Sequence, residues 1–233
     1  MRRRIGQAEG EKERIAFPLT LCRARHDYAF ETGVHIDDAT GKRIITARFD
    51  MEAIRRGEPV DLYDGAEDNI VRLRLSVIQA SDVVAYSVGS ASDPEIGRLI
   101  AAFRAESRPS LHLYRADGAE CGRLKSIGAW KRFVGLIPFL DTVAALSPGD
   151  LGFQPRYTVE IDGRPGLSLA AVENEGGEQY ADATVSHAIA HKHLAFGVVD
   201  EELVLAGLAA LAGHSELGAL TGLGGIYVPG LQN

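Results

Sequence analysis

Cysteine is scarce in this sequence, and so are long apolar stretches. Only two cysteines, Cys22 and Cys121, occur among the 233 residues, which is too few for a disulfide framework and favours a reducing cytoplasm over secretion. The longest strongly apolar stretch, 203–212, reaches about half of the length that a membrane-spanning helix needs. The amino-terminal residues contain no apolar signal core. We therefore expect a cytoplasmic protein with no transmembrane segment.

Basic residues are in the minority, and none follows Lys192. The formal net charge is −7, whereas nucleic-acid binding requires a basic surface that displaces the counterions of the phosphate backbone. We therefore expect no nucleic-acid partner. Part of the basic charge concentrates near the amino terminus, where Arg2, Arg3 and Arg4 begin a charged segment, 1–15, that we interpret as a flexible tail.

Established catalytic motifs are also lacking. Ser215 does not stand in the Gly-x-Ser-x-Gly pattern of a hydrolase nucleophile. The glycine-rich segment 222–225 has neither the preceding strand nor the following helix of a nucleotide-binding loop. The sequence identifies no basic partner for either cysteine, which a nucleophilic thiol would require. We therefore expect no cofactor and assign no catalytic residue.

What the sequence does contain is a repeated pattern. Residues 91–99 and 116–124 are similar to each other, and each follows a short run of alternating apolar residues, 86–88 and 111–114. Each stretch therefore predicts a β-hairpin, in which a polar turn joins two strands. Self-similarity of this kind indicates one supersecondary unit that is used more than once.

Alternating segments elsewhere in the chain extend this pattern. Apolar side chains at 71, 73, 75 and 77 alternate with polar ones, so one face of this strand is expected to be buried and the other exposed. Further hairpins are expected over 34–49 and over 157–169, the second with its turn at 162–166. Many short strands at such spacing indicate a sandwich or a barrel.

A helix with no polar face is predicted near the end of the chain. Asp200 stands at the expected N-cap, Glu201 and Glu202 occupy the first turn, and Gly213 is placed to end the helix. The residues between them are apolar on every side, and a helix of that kind is buried all round. In a chain of this size, the simplest arrangement is a helix enclosed by a sheet.

These features predict a mainly β fold, an antiparallel β-barrel of short hairpins that encloses a carboxy-terminal apolar α-helix. The barrel is expected to form a single domain over residues 16–213, with its central helix at 200–213. An apolar, glycine-rich tail is expected to follow at 214–233.

Hairpins of the form strand, Asp/Ala-x-Gly turn and strand ending in Ile-Gly-x-Leu, repeated around a barrel and followed by a carboxy-terminal apolar helix, resemble the tubby C-terminal-like superfamily. This superfamily includes tubby domains, phospholipid scramblases and LURP-one-related proteins. The resemblance implies that twelve strands close around a central hydrophobic helix, and it bears on the fold more than on any activity. The basic pair with which tubby domains bind phosphoinositides cannot be placed in this sequence. The residues that carry the resemblance are Tyr86–Leu99, Leu111–Leu124, Val34–Ile45 and Asp200–Ala212.

Two groups of residues are candidates for binding a lipid headgroup or another anion. A basic and aromatic stretch without acidic residues could meet an anionic surface, with the aromatic ring at the interface. Two arginines at equivalent positions of the repeat would suit a phosphate or carboxylate. The alternative for both groups is a solvated strand face, where lysine opposes pairing at a sheet edge. The first group is Lys125, Trp130, Lys131 and Arg132, and the second is Arg98 and Arg123.

His187, His191 and His193 form the candidate metal site. In a strand all three would share a face, and in a helix His187 and His191 would lie one turn apart, so that either arrangement could surround a metal ion. Their spacing matches neither the metalloprotease helix nor a zinc ribbon. The alternative is that they are surface or lining residues just before the helix.

The sequence therefore leaves three functions open. The first is a non-catalytic binding or interaction module that contacts an anionic lipid, or a protein partner through the carboxy-terminal tail. The second is a metal-dependent enzyme that uses the three histidines. The third is a structural subunit whose apolar residues 217–228 pack on another subunit. The enclosed helix favours the first function, because it fills the space that a ligand cavity would need. The sequence does not determine the oligomeric state.

Overall fold

A computed structural model describes residues 15–214, with gaps at 27–30, 66, 81–82, 103–109, 128–155, 173–182 and 195–196. The two expected tails, 1–15 and 214–233, therefore lie outside the described residues except for one residue each. No helix within the described part of the chain has the length and apolar character needed to cross a membrane.

The described residues form twelve strands and two helices. In chain order the elements are β1 Leu19–His26, β2 Glu31–Asp37, β3 Arg43–Asp50, α1 Met51–Arg55, β4 Val60–Asp64, β5 Glu67–Ala80, β6 Val83–Ser90, β7 Gly97–Ala102, β8 Ser110–Arg115, β9 Glu120–Ile127, β10 Arg156–Ile161, β11 Arg164–Val172, β12 Ala183–Lys192 and α2 Val198–His214.

The strands close into one antiparallel barrel. Each strand pairs with the next one along the chain, and β12 returns to pair with β1. The register at this closure runs from Leu19 opposite Ala190 to His26 opposite Ala183. The predicted fold class, a closed antiparallel barrel with a carboxy-terminal helix, is confirmed.

Alternation along the strands separates the inside of the barrel from its outside. In β2 the side chains of Val34 and Ile36 are buried, whereas His35 between them is partly exposed. The predicted turn at 162–166 is shorter than expected, because only Asp162 and Gly163 lie between β10 and β11. Both residues have positive φ, at 47° and 74°, as a two-residue hairpin turn requires.

The two similar stretches form adjacent hairpins, β6–β7 and β8–β9, and their shared glycines lie at close contacts. A Cβ at Gly97 would come within 2.8 Å of Leu203 in α2. A Cβ at Gly122 would come within 3.0 Å of Leu113 and 3.1 Å of Ile161. The register between β8 and β9 also shifts beside Gly122, as at a β-bulge. These two glycines therefore allow close packing between neighbouring strands and against α2.

Helix α2 lies inside the barrel. All residues from Glu202 to Gly213 are buried, and the helix contacts β1, β2, β3, β5, β7 and β8. Burial of each large aliphatic side chain stabilises a fold by roughly 1.5–3 kcal/mol. At Gly207, a Cβ would come within 2.9 Å of Leu113 and 3.1 Å of Leu111, so a small residue lets β8 approach the helix. The prediction of an enclosed helix without a polar face is confirmed.

The ends of α2 differ from the prediction. The helix begins at Val198, and the amide of Glu201 donates to the carbonyl of Gly197 over 2.9 Å, so Asp200 is inside the first turn and is not the N-cap. The Asp200 carboxylate instead accepts two hydrogen bonds from Arg115, at 2.9 and 3.1 Å. Arg115 also donates to Asp162 in the β10–β11 turn at 3.0 Å. One arginine thus ties the start of the helix to two hairpins.

The other end of α2 passes the predicted stop at Gly213 and finishes at His214. Gly213 remains helical, and a Cβ there would collide with the ring of Phe49. The Nε2 atom of His214 lies 2.6 Å from the hydroxyl of Tyr86, and its ring meets Phe49 edge-on at 5.4 Å. Burial, with a smaller contribution from the positive charge of Arg23, lowers the pKa of His214 to about 4.

Replacing Leu208 by Asp is expected to unfold the protein. Leu208 is 1% exposed in the centre of α2, and an unpaired buried carboxylate costs several kcal/mol out of a total stability of about 5–15 kcal/mol. Ile78→Asp is the matched control, because Ile78 is 56% exposed. Circular dichroism and thermal unfolding measure both. A Leu208→Asp variant that unfolds cooperatively at the wild-type temperature would contradict the enclosed helix.

Acidification is expected to destabilise the protein between pH 6.5 and pH 4. An unfolded histidine has a pKa of about 6.5, so in this window the unfolded chain binds a proton that folded His214, with a pKa of about 4, does not. Stability therefore falls as the pH drops, by up to roughly 3 kcal/mol. Urea unfolding across this range should show a weaker pH dependence for His214→Gln than for the wild type. The control is His191→Gln, in which the replaced side chain is exposed. The assignment would be contradicted if the pH dependence of stability were unchanged in His214→Gln, or if it weakened equally in His191→Gln.

Candidate functional site

The polar chemistry of the described chain lies mainly on the outside of the barrel, because α2 occupies the inside. Side chains at alternate positions of β9 to β12 point outward. We call five of them the outer polar band: Arg123, Lys125, Glu160, Ser168 and His191. This band contains Arg123 and Lys125 from the predicted anion-binding residues and His191 from the predicted metal site, two sets that the sequence indicates separately.

Glu160 on β10 joins two of the predicted anion-binding residues. Its carboxylate accepts a hydrogen bond from the Arg123 Nε at 3.1 Å and lies 2.7 Å from the Lys125 Nζ. The hydrogen bond with Lys125, followed by that with Arg123, lowers the pKa of Glu160. The two cationic side chains are 46% and 47% exposed, whereas that of Glu160 is 16% exposed. The cations therefore remain open to solvent and to a second anion.

The other predicted anion-binding residues do not lie beside Glu160. Arg98 lies on β7, two strands from Arg123, and forms its own ion pair with Glu95 at 2.8 Å. The equivalent repeat positions of Arg98 and Arg123 therefore do not place the two guanidinium groups around one ligand. Trp130, Lys131 and Arg132 lie outside the described residues.

A row of polar residues leads from Lys125 to the histidines. Thr158 lies opposite Lys125, Ser168 lies opposite Thr158, and His191 lies opposite Ser168. The row crosses three strand spacings, or about 14 Å. His193, just beyond the end of β12, joins it because its Nε2 lies 2.9 Å from the Ser168 hydroxyl. Two of the three predicted histidines thus lie on the same outer face as Lys125.

His187 occupies a different neighbourhood. It precedes His191 by four positions in β12, which corresponds to about 13 Å along a strand, and it lies opposite Cys22 of β1 and Val172 of β11. Its side chain is outside the described part of the structure. Among the side chains that are described, no group of three or more His, Cys, Asp and Glu residues could hold a metal ion.

A surface groove of about 230 Å³ adjoins the outer polar band. Arg123 and Glu160 lie in its wall, so the groove and the band are continuous. The full lining is Glu120, Cys121, Gly122, Arg123, Glu160 and Gly163. No pattern in the sequence indicates this groove, because it forms where the β8–β9 bulge meets the β10–β11 turn.

Both cysteines are free and buried. Burial raises the pKa of the Cys22 thiol to about 11, with the negative charge of Asp37 acting in the same direction. Burial also raises the pKa of Cys121 to about 11. Thiols with such pKa values are poor nucleophiles near neutral pH. Cys22 has His35 and His187 as its neighbours on the adjoining strands. The sequence alone does not indicate this, because only the strand register brings the three positions together.

Comparisons with protein-family models, with curated proteins and with solved structures gave no match. The resemblance to the tubby C-terminal-like superfamily therefore stays a prediction that rests on the repeated hairpins and the apolar helix. The barrel around a central helix agrees with the fold that this resemblance implies. A barrel fold by itself indicates neither a binding function nor an enzyme, so the candidate site stands on the residues of this chain.

Proposed function

We propose that this protein is a non-catalytic binding module that contacts anionic lipid headgroups with the outside of its barrel, and that it belongs to the tubby C-terminal-like superfamily. One observation carries the proposal: α2 occupies the barrel interior, with every residue from Glu202 to Gly213 buried. The interior volume that many barrels use for a ligand is therefore filled by the chain itself. The proposal places the ligand on the outer polar band.

The outer polar band has chemistry that suits a phosphate group. Arg123 and Lys125 share a single carboxylate, Glu160, so two positive charges meet one negative charge. A phosphate oxygen at this point would receive charge-assisted hydrogen bonds from both cations. The adjoining groove, which Arg123 lines, offers room for a headgroup.

The strength of such binding is limited by the charge of the whole chain. Each basic residue near an anionic surface contributes about 1 kcal/mol, and at physiological salt the attraction is screened within about 8 Å. The net charge of −7 opposes long-range attraction. Binding therefore depends on local cations, which we assign to Arg2–Arg4, Lys125, Lys131 and Arg132. The proposal is a weak and salt-sensitive membrane contact.

The proposed location is the cytoplasm. Cys22 and Cys121 are both free, as thiols generally are in a reducing compartment. Anionic lipids are enriched in the cytoplasmic leaflet, so the same location also supplies the proposed ligand. A protein partner that binds residues 217–228 is the competing interpretation, and the experiment below separates the two.

Cosedimentation of the full chain with phosphatidylcholine vesicles that contain phosphatidylserine tests the proposal. We expect binding at low salt that is largely lost at physiological salt, and lost at low salt when residues 1–14 are deleted and Lys131 and Arg132 are replaced by Ala. Lys125→Ala should weaken binding. Glu160→Gln should strengthen it, because the carboxylate that competes for both cations is removed.

Arg74→Ala is the matched control for Lys125→Ala, since Arg74 is also an exposed strand cation in an ion pair, with Asp61 at 2.6 Å. Equal losses in Arg74→Ala and Lys125→Ala would show a general charge effect and would contradict a site on the outer polar band. Tight binding that persists in high salt would assign the contact to the apolar tail. Absence of binding at every salt concentration would reject the lipid and leave the protein partner.

A further inference from the structure

Two aromatic rings lie side by side on the outer face of β8. His112 and Tyr114 are two positions apart in this strand, and the residue between them, Leu113, is buried in the core. The two rings are stacked, with their centroids 6.5 Å apart and an angle of 20° between their planes. Both residues are partly exposed. We call His112 and Tyr114 the aromatic pair.

Two cations follow on the neighbouring strand. Arg123 of β9 lies opposite His112, and Lys125 lies two positions further along the same face of β9. The side chains of both cations are nearly half exposed, and they share the single carboxylate of Glu160. Adjacent strands are about 5 Å apart, so the aromatic pair and the cations form one continuous surface.

Glu120 connects the aromatic pair to the groove. It lies opposite Tyr114 in the register of β8 with β9, and its carboxylate is 3.1 Å from the Nδ1 atom of His112. Glu120 also lines the groove of about 230 Å³, together with Arg123 and Glu160. The groove therefore extends from the edge of the aromatic pair to the carboxylate that the two cations share.

A planar ring that carries a phosphate matches this arrangement. Aromatic side chains stack on the flat faces of nucleic-acid bases, and such stacking tolerates any base. Arginine and lysine bind phosphate oxygens through charge-assisted hydrogen bonds. Because only one strand spacing separates the two kinds of side chain, a base on the aromatic pair would bring its 5′-phosphates to Arg123 and Lys125.

We propose that the aromatic pair, Arg123 and Lys125 bind a free nucleotide, with its base against the rings and its phosphates at the cations. This site goes beyond the proposed lipid contact, which uses the same two cations but not the rings. A free nucleotide carries only a few negative charges, so two cations serve it. A nucleic-acid strand requires a broader basic surface, which the net charge of −7 opposes.

Equilibrium dialysis of the full chain against ADP, adenosine or pyrophosphate tests the proposal. ADP should bind more tightly than adenosine, which lacks the phosphates, and more tightly than pyrophosphate, which lacks the base. Equal affinities for ADP and pyrophosphate would show that the rings contribute nothing and would overturn the proposal, as would the absence of ADP binding. The measurement contains no lipid, so its result does not depend on the vesicle experiment.

Substitutions locate the two parts of the site. Tyr114→Ala should weaken ADP binding by at least about fivefold, whereas Tyr114→Phe keeps the ring and should keep the affinity. Arg123→Ala should weaken the binding of both ADP and pyrophosphate. The matched controls are Tyr63→Ala and Arg74→Ala, since Tyr63 is a partly exposed strand tyrosine and Arg74 an exposed strand arginine. Both should bind ADP as the wild type does.

An equal loss of ADP affinity in Tyr63→Ala and Tyr114→Ala would overturn the proposed site. Should Tyr114→Ala fail to fold by circular dichroism, Arg123→Ala and the comparison of ADP with adenosine and pyrophosphate decide. Tyr114→Ala should leave cosedimentation with vesicles unchanged, which separates this site from the lipid contact. A short single-stranded oligoadenylate that binds more tightly than ADP would overturn the assignment to a free nucleotide.

Discussion

The structure depends on the burial of one apolar helix inside a closed sheet. α2 contacts β1, β2, β3, β5, β7 and β8, so hairpins that are far apart along the chain share a single hydrophobic core. Each strand supplies alternate residues to that core, and this requirement fixes the register of every hairpin, since a slip by one residue would turn the apolar side chains outward. The small residues Gly97, Gly207 and Gly213 allow strands to approach the helix closely. Loss of the helix would leave the barrel without a filled interior.

Polar contacts at both ends of α2 determine how the helix sits in the barrel. At its start, Arg115 links Asp200 to the β10–β11 turn, and at its end, His214 pairs with Tyr86 of β6. Burial of apolar area is non-directional, so it does not by itself fix the orientation of the helix. These polar contacts do. With the interior filled, the candidate chemistry lies on the outer polar band, which holds exposed cations around Glu160.

Much of the fold could be predicted from the sequence, because strand alternation and a helix without a polar face are local patterns. The closed barrel and its enclosed helix followed from them, whereas the ends of α2 did not. Asp200 resembled an N-cap but is instead held by Arg115 from β8, and Gly213 resembled a stop but is required beneath Phe49. The sites were less predictable, since they depend on pairing between distant strands. Spacing along the chain grouped His187 with His191, whereas the register places His187 beside Cys22.

Native-state hydrogen exchange of the α2 amides shows whether the closed barrel encloses this helix. A helix enclosed on all sides by a closed barrel can exchange its amide protons only when the barrel itself opens. We expect the amides of residues 203–212 to exchange with the free energy of global unfolding, as slowly as the most protected strand amides. The measurement follows exchange by nuclear magnetic resonance or mass spectrometry as denaturant is added. Exchange of α2 through a local opening, with a free energy well below that of the strands, would contradict the enclosed helix.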